Sequence, residues 1–201
     1  MRINSLSLEN YRNIIRCDLT PGEGVNLIVG DNAQGKTNLM EAIWLLTGEK
    51  TFRYGREHDI PRLDMDRETQ RTRVYANVFA EGRDQELEYI LWPRRQVKIN
   101  GITEPGRGAF SGKLCCVIFS PNHLSLVRDG PAERRDFLDG AISQLRPQYI
   151  KVLSDYNRAL AQRSTLLREA FRDRGRLDLL PVFDYHVARL GSLIQVTRQS
   201  Y

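Results

Sequence analysis

Alternation of apolar and polar residues marks several β-strands in the first half of the chain. This period of two is typical of strands that bury one face. It predicts strands at residues 3–9, 14–19, 72–80, 86–92 and 96–99, the first of them at an edge of the sheet. Asn100-Gly101, directly after the last of these strands, predicts a tight hairpin turn.

Two other runs, 25–29 and 114–119, are largely apolar instead of alternating. Runs of this kind are typical of strands that are buried on both faces. The first follows the glycine turn 21–24, and the second ends at Ser120-Pro121. The pattern therefore predicts two further strands in the core.

From Pro131 onward the apolar period becomes that of an amphipathic helix. The inner face of the first helix is expected to be Phe137, Leu138, Ala141, Ile142 and Leu145. Pro147 begins a second helix, whose heptad-like seam is Tyr149, Leu153, Tyr156, Leu160 and Leu167. After a charged turn at 172–176, a returning helix repeats the spacing at Phe183, Val187, Leu190 and Ile194. The pattern predicts an antiparallel helical hairpin.

The most specific motif lies between the run 25–29 and the next helical pattern. It reads G-x-x-x-x-G-K-T and consists of Gly30, Asp31, Asn32, Ala33, Gln34, Gly35, Lys36 and Thr37. A glycine-rich loop between a strand and a helix points backbone N–H groups at phosphates, and the helix start adds partial positive charge. We expect Lys36 to reach the β- and γ-phosphates and the Thr37 hydroxyl to bind Mg²⁺. ATP and Mg²⁺ are the cofactors that this motif predicts; a plain glycine turn with a solvated lysine is the alternative.

The helix after the motif is expected to span 38–47 and to stop at Gly48. Leu39, Ala42, Ile43 and Leu46 recur at helical spacing and should face the sheet, whereas Asn38 and Glu41 should face away from it.

Composition adds few constraints. The chain of 201 residues has a net charge of +5, all of it in the second half, because the first hundred residues carry equal numbers of basic and acidic side chains. Both a polyanionic partner such as DNA and an arginine-rich solvated surface fit this charge. Three cysteines without metal-ligand spacing, and no signal peptide or apolar membrane span, predict a cytoplasmic protein without a structural metal.

A P-loop ATPase also needs an apolar strand that ends in an acidic residue. The candidate 179–184 contains Pro181, which has no backbone N–H to donate to a hydrogen bond inside a central strand. The run is therefore predicted to begin a helix. The sequence therefore holds half of a hydrolytic site.

Several segments together resemble the RecF family of bacterial recombination mediators. They are 8–13 (Leu-Glu-Asn-Tyr-Arg-Asn), 30–43, 50–53, 117–121, 124–127, and 130–139 with its Arg134-Arg135 and Phe137-Leu138-Asp139. The resemblance implies an α/β fold: a partial P-loop, ABC-type ATPase head with an antiparallel β-subdomain and an inserted helical arm. It implies head residues at 1–125 and an incomplete arm at 126–201. It also implies that this is an N-terminal portion without the signature and Walker B motifs.

The same resemblance implies a function. Members of the family bind ATP and Mg²⁺, form ATP-dependent homodimers, and bind DNA at single-strand gaps and duplex junctions. They act with RecR and RecO in loading the recombinase, during recombinational repair, DNA replication and the SOS response to DNA damage. Arg12 would lie near the α-phosphate, although a surface arginine fits its position equally well, and Gln34 would border the γ-phosphate. Asn122-His123 stands where the family has acidic residues.

Two other functions fit parts of the sequence. A stand-alone P-loop kinase for a small molecule would use the same loop, but the β-rich segment and the helical hairpin stand where a lid and an acceptor pocket are expected. A structural fragment with an inactive loop is the third alternative. For the preferred function we expect ATP binding with weak or no hydrolysis.

Overall fold

The structure is a computed structural model, and it describes residues 1–52, 57–119, 130–170 and 174–201. The chain divides into two compact units, Met1–Asn122 and His123–Tyr201. Some residues of interest fall outside the described ranges or have side chains that are not described. They are Asn122-His123, most of the charged turn at 172–176, and Arg53 and Arg56.

The first unit contains a six-stranded antiparallel sheet. Its strands are β1 (Arg2–Tyr11), β2 (Ile14–Leu19), β3 (Thr72–Ala80), β4 (Arg83–Trp92), β5 (Gln96–Ile99) and β6 (Ile102–Glu104). They lie in the order β2-β1-β3-β4-β5-β6, and every neighbouring pair is antiparallel. β2, β3 and β5 have the predicted bounds.

The expected edge position of β1 is wrong, because β1 pairs with β2 on one side and with β3 on the other. A period of two shows which face of a strand is buried but not how many neighbours the strand has. The hairpin turn after β5 is confirmed, since Asn100 and Gly101 both have positive φ (51° and 78°). The short strand β6 that follows had no signal in the sequence.

A single apolar core joins the sheet to helix α1 (Lys36–Leu45). The sheet contributes alternate residues, among them Leu6, Leu8, Val74, Ala76, Val78, Leu87 and Tyr89. The helix contributes Leu39, Ala42 and Leu45, and Leu46 follows them. This packing fixes the first turn of α1, and with it the glycine-rich loop, against β1.

The two largely apolar runs do not form strands. No β-ladder includes residues 25–29 or 114–119, all of which are described. Val25 is 96% exposed and Val117 is 98% exposed. A strand requires a hydrogen-bonded neighbour, and the six paired strands of the described sheet do not provide one for either run. The prediction of two further core strands is therefore wrong for this structure.

The second unit is helical: α2 (Pro131–Leu145), α3 (Pro147–Glu169) and α4 (Leu180–Gln199), with a short 3₁₀ helix at Arg174–Leu179. α3 and α4 pack along each other as the predicted hairpin. Pro181 lies in the first turn of α4, which confirms that the run 179–184 begins a helix. None of the helices in the described residues is both long and apolar enough to cross a bilayer.

The predicted inner faces of this unit are only partly correct. On α2, Ile142 is buried, but Phe137, Ala141 and Leu145 are exposed. On α3, the seam runs through Tyr149, Leu153 and Tyr156 as expected, but then through Ala159, Leu166 and Ala170 instead of Leu160 and Leu167. A straight helix repeats every 3.6 residues and drifts from a heptad, so the buried stripe moves by one position. The predicted face of α4 is confirmed, since Phe183, Val187 and Leu190 are half-buried and Ile194 is buried.

A polar cluster around Asp139 joins the three helices. The Asp139 carboxylate accepts hydrogen bonds from Arg198 Nε (2.8 Å), Arg198 Nη2 (2.6 Å) and the Tyr149 hydroxyl (2.7 Å). Burial and the bond to Asp139 raise the pKa of Tyr149 to about 12. We expect Asp139→Ala to cost about 2–3 kcal/mol of unfolding free energy, because it leaves a largely buried guanidinium without its partner. Tyr149→Phe should cost about 1 kcal/mol.

Urea unfolding followed by helical circular dichroism measures both losses. Asp155→Ala is the matched control, since within the described residues Asp155 pairs with Arg158, an exposed side chain one turn along the same helix, and such pairs contribute little. Equal midpoints for the Asp139 and Asp155 variants would contradict the prediction.

Candidate functional site

The glycine-rich loop makes a tight bend before α1. Three of its residues have positive φ: Gly30 (152°), Ala33 (65°) and Gly35 (98°). Gly35 is the N-cap of α1 in the left-handed conformation, and no side chain caps the helix. The first N–H groups of α1 therefore lack intrahelical partners and face the loop, which is the arrangement that binds anions at a helix start.

Lys36 lies across this bend. Its Nζ donates to the carbonyl oxygens of Gly30 and Asp31, both at 2.6 Å. The ammonium therefore places a positive charge beside the first amides of the helix. Thr37 follows in the first turn and is exposed, so its hydroxyl is accessible to a ligand.

These groups are of the chemical types that bind a magnesium–triphosphate. Amides and an ammonium are donors for phosphate oxygens, and a hydroxyl oxygen is a ligand that Mg²⁺ accepts. Residues 30–34 are all exposed, so the concave side of the loop is open to a ligand. The structure thus brings together all eight residues of the predicted motif, Gly30, Asp31, Asn32, Ala33, Gln34, Gly35, Lys36 and Thr37, in one bend.

The turn between β1 and β2 lies against the same loop. Tyr11 pairs with Ile14, so Arg12 and Asn13 form a two-residue turn, with Arg12 at φ 54°. The Asn13 amide donates to the Ala33 carbonyl (2.9 Å), and its carbonyl accepts from Asn38 Nδ2 (2.7 Å). The turn is therefore bonded to both the loop and α1.

Glu41 on α1 anchors the turn from the other side. Contrary to the expectation that it faces away, Glu41 is fully buried, and its carboxylate accepts from Arg12 Nε (3.1 Å) and Arg12 Nη2 (2.8 Å), as well as from the Thr51 hydroxyl. Burial alone raises the pKa of Glu41, but the hydrogen bonds from Arg12 and Thr51 outweigh it and hold that pKa below its ordinary value. The expected orientation is wrong because a bidentate partner compensates the burial of the charge.

Arg12 thus lies close to the loop but points its fork at Glu41. Its Nη1 donates to the Asp59 carbonyl at 3.1 Å. Sequence reasoning had located Arg12 but missed Asn13, Glu41 and Thr51. The available signal was the polar turn itself, Tyr-Arg-Asn, next to a helix that carries an acidic residue on a largely apolar face.

Comparison with known proteins agrees with this geometry. Residues 1–101 match the family model described as an AAA ATPase domain. Among curated proteins, the chain is 36% identical over 202 residues to the DNA replication and repair protein RecF of Acetivibrio thermocellus, and 35% identical over 202 residues to that of Clostridioides difficile. Both alignments cover the whole of this chain.

Solved structures give the same result. The chain superimposes with a TM-score of 0.90 and 32% identity on a structure of the recombination mediator protein RecF-ATPrS in the RecFOR pathway, covering 100% of this chain and 54% of that one. A RecF-ATP structure gives a TM-score of 0.90 at 33% identity, covering 99% of this chain and 53% of that one. The chain spans about half the length of the curated relatives, 54% and 53% of the two named above.

Proposed function

The chain belongs to the AAA ATPase domain family and is similar along its whole length to RecF, and from that premise we propose that it is the ATP-binding part of a DNA repair and recombination ATPase. The observation that carries the proposal is the bend at 30–37, where the first amides of a helix without a side-chain cap, the Lys36 ammonium and the Thr37 hydroxyl lie together. Its similarity to structures titled RecF-ATP and RecF-ATPrS supports ATP as the ligand.

In this proposal different residues of the loop bind different parts of Mg-ATP. Backbone amides from Gly30 to Gly35 hold phosphate oxygens, Lys36 leaves the loop carbonyls and pairs with the β- and γ-phosphates, and Thr37 holds Mg²⁺. The metal neutralises charge on the phosphates when it is bound. Arg12 has five N–H donors, and only three of them are used by Glu41 and Asp59. We therefore keep a contact between Arg12 and the α-phosphate as part of the proposal, together with a contact from Gln34 to the γ-phosphate.

We expect the 201-residue chain to bind Mg-ATP without turning it over. Hydrolysis needs a residue that positions the attacking water, usually next to an apolar strand that ends in an acidic residue, and the candidate run 179–184 begins a helix instead. Equilibrium dialysis with labelled ATP measures binding, and phosphate release measured under the same conditions checks hydrolysis.

The controls separate the alternatives. AMP, which lacks the β- and γ-phosphates, should not compete. A chain that does not retain ATP at all would support an inactive loop, and robust phosphate release would contradict the assignment of an incomplete hydrolytic site. Phosphate transfer to a metabolite would favour the kinase alternative.

The proposed partners follow from the relatives. The names of the relatives place them in DNA replication and repair, and the solved ones in the RecFOR pathway. We propose that this chain serves the same process. Its proposed partners are DNA at single-strand gaps and junctions, RecR and RecO, and a second copy in an ATP-dependent homodimer, and its proposed location is the cytoplasm. The net charge of +5 is consistent with DNA as a partner.

Salt titration tests the DNA part of the proposal. If basic side chains neutralise phosphates, the logarithm of the DNA association constant should fall linearly with the logarithm of the salt concentration, by about 0.9 for each phosphate contact on duplex DNA. Fluorescence anisotropy of a labelled gapped duplex at several salt concentrations measures the slope. A flat dependence, or no binding at low salt, would contradict DNA binding by this chain.

A further inference from the structure

We propose that Asn13 is a positioning residue for the phosphate-binding loop. Its side-chain amide sets the direction in which the peptide between Ala33 and Gln34 points, and so presents the Gln34 N–H to a bound phosphate. The proposal rests on the proposed function, because it assigns a role in binding the same nucleotide.

The first step concerns one peptide group. The Asn13 Nδ2 donates to the Ala33 carbonyl oxygen at 2.9 Å. A peptide bond is planar and trans, so its C=O and N–H point in opposite directions. While Asn13 holds the Ala33 carbonyl, the Gln34 N–H must point away from Asn13. Ala33 itself has φ 65°, a conformation that residues with a side chain seldom adopt. The hydrogen bond from Asn13 to its carbonyl therefore holds the loop in this conformation.

The second step concerns the distance between the turn and the loop. A Cβ atom built on Gly35 would lie 2.8 Å from Asn13 Oδ1 and 3.3 Å from Ile14 Cγ1. The turn therefore lies directly on the last residue of the loop. This close approach explains a glycine at position 35 in addition to its φ of 98°, and it limits how far the loop is able to move away from Asn13.

The third step concerns what holds Asn13 itself. Its Oδ1 accepts from Asn38 Nδ2 at 2.7 Å, which ties the same carboxamide to the first turns of α1. On the other side, the neighbouring Arg12 is fixed by its two bonds to buried Glu41. The carboxamide groups of Asn13 and Asn38 therefore have defined orientations, and the Asn13 side chain links α1 to the middle of the loop.

Asn13 is exposed, so its role in the loop is separable from a role in the fold. Substitutions at exposed positions usually change stability little. We expect Asn13→Ala to melt within a few degrees of the unaltered chain when no nucleotide is present, and to bind Mg-ATP about tenfold more weakly. Asn13→Asp should bind more weakly still, because it lacks the donor and places a carboxylate beside the loop carbonyl and the phosphates.

The experiment combines three measurements on the 201-residue chain: the dissociation constant for Mg-ATP, the melting temperature without nucleotide, and the amide resonance of Gln34. In the unaltered chain, Mg-ATP should shift the Gln34 N–H resonance as the amide gains a phosphate partner, and Asn13→Ala should lose most of this shift. Asn77→Ala is the matched control, since Asn77 on β3 also bonds one asparagine side chain, that of Asn4 (2.7 Å), but does so on the sheet.

Each result decides the question. Weaker binding by both Asn13 variants, with an unchanged melting temperature and an unchanged Asn77 control, supports the proposal. Unaltered affinity in both variants would overturn it while leaving ATP binding by the loop intact. A loss of affinity that parallels a large fall in melting temperature would also overturn it, in favour of a structural role. Failure of the unaltered chain to bind Mg-ATP would overturn the proposed function and this inference together.

Discussion

Replacement of Lys36 by alanine is expected to weaken Mg-ATP binding by at least about a hundredfold and to leave the fold intact. The ammonium of Lys36 lies between the Gly30 and Asp31 carbonyls, one residue after the N-cap of α1. When it pairs with phosphate oxygens, each charge-assisted hydrogen bond is about twice as strong as a neutral one. Equilibrium dialysis of the alanine variant against labelled ATP measures the loss.

The fold should tolerate this change because the partners of Lys36 are accessible. Gly30 and Asp31 are exposed, so their carbonyls bond to water when the ammonium is removed, and the unfolding midpoint should move little. Lys36→Arg retains the charge but replaces a compact ammonium with a wide planar group. It should therefore restore less than a tenth of the lost affinity.

Lys151→Ala is the matched control. Lys151 is exposed on α3, in the other compact unit, and its loss removes the same charge. Its affinity for Mg-ATP should equal that of the unaltered chain. If Lys36→Ala kept its affinity within about threefold of the control, the loop would not be the triphosphate site, and the ATP-dependent part of the proposed function would be lost with it.

The bend at 30–35 and the helix after it were predictable because their information is local, whereas phosphate binding by the loop stays a prediction. Glycines at fixed spacing, one lysine and one hydroxyl residue between an apolar run and an amphipathic helix specify a bend whatever surrounds it. Lys36 and Thr37 consequently lie where the motif predicts. The antiparallel strands were predictable in part, since alternation in 72–80 indicates a strand with one buried face and Asn100-Gly101 encodes the turn between the adjacent strands β5 and β6.

Features that depend on distant partners were not predictable. The apolar run 25–29 was expected to be a strand, but hydrogen-bonded neighbours decide strand formation, and these are set by other parts of a chain. Glu41 shows the same limit for burial. Its place on the helix indicated a solvated position, and only the left-handed turn at Arg12, 29 residues earlier in the chain, supplies the guanidinium that allows the carboxylate to be buried.

The Arg12–Glu41 pair leads to the second large expected effect. Arg12→Ala should cost about 3–5 kcal/mol of unfolding free energy, because it leaves a fully buried carboxylate without its cation. Glu41→Gln should cost less, about 1–2 kcal/mol, since glutamine keeps an acceptor for Arg12 and Thr51 and buries no charge. Urea unfolding followed by tryptophan fluorescence measures these losses in the first unit, which contains both Trp44 and Trp92.

The double variant Arg12→Ala/Glu41→Gln distinguishes this cause from loss of packing. If the unpaired carboxylate is responsible, the double variant should be more stable than Arg12→Ala alone, although it carries one more substitution. Arg16→Ala, which breaks the exposed pair between Arg16 and Asp18 on β2, is the control and should show no measurable loss. A double variant as unstable as the two single losses combined would contradict the assignment.

The pH dependence of stability is an independent check, because the pKa of Glu41 should shift in opposite directions in the unaltered chain and in Arg12→Ala. In the unaltered chain the pKa of Glu41 is lowered from its ordinary 4.5, so its contribution is present above that value and is lost as the pH falls through the lowered pKa. In Arg12→Ala the main group that offsets burial is gone, so burial should raise the pKa of Glu41 above 4.5. The folded state then binds a proton more tightly than the unfolded state, and stability is lost as the pH rises through the raised pKa.

The stability difference between Arg12→Ala and the double variant should therefore be largest at neutral pH and should shrink toward pH ~5. A difference that stays constant across this range would mean that the Glu41 carboxylate is hydrated in the variant, and that its burial depends on Arg12.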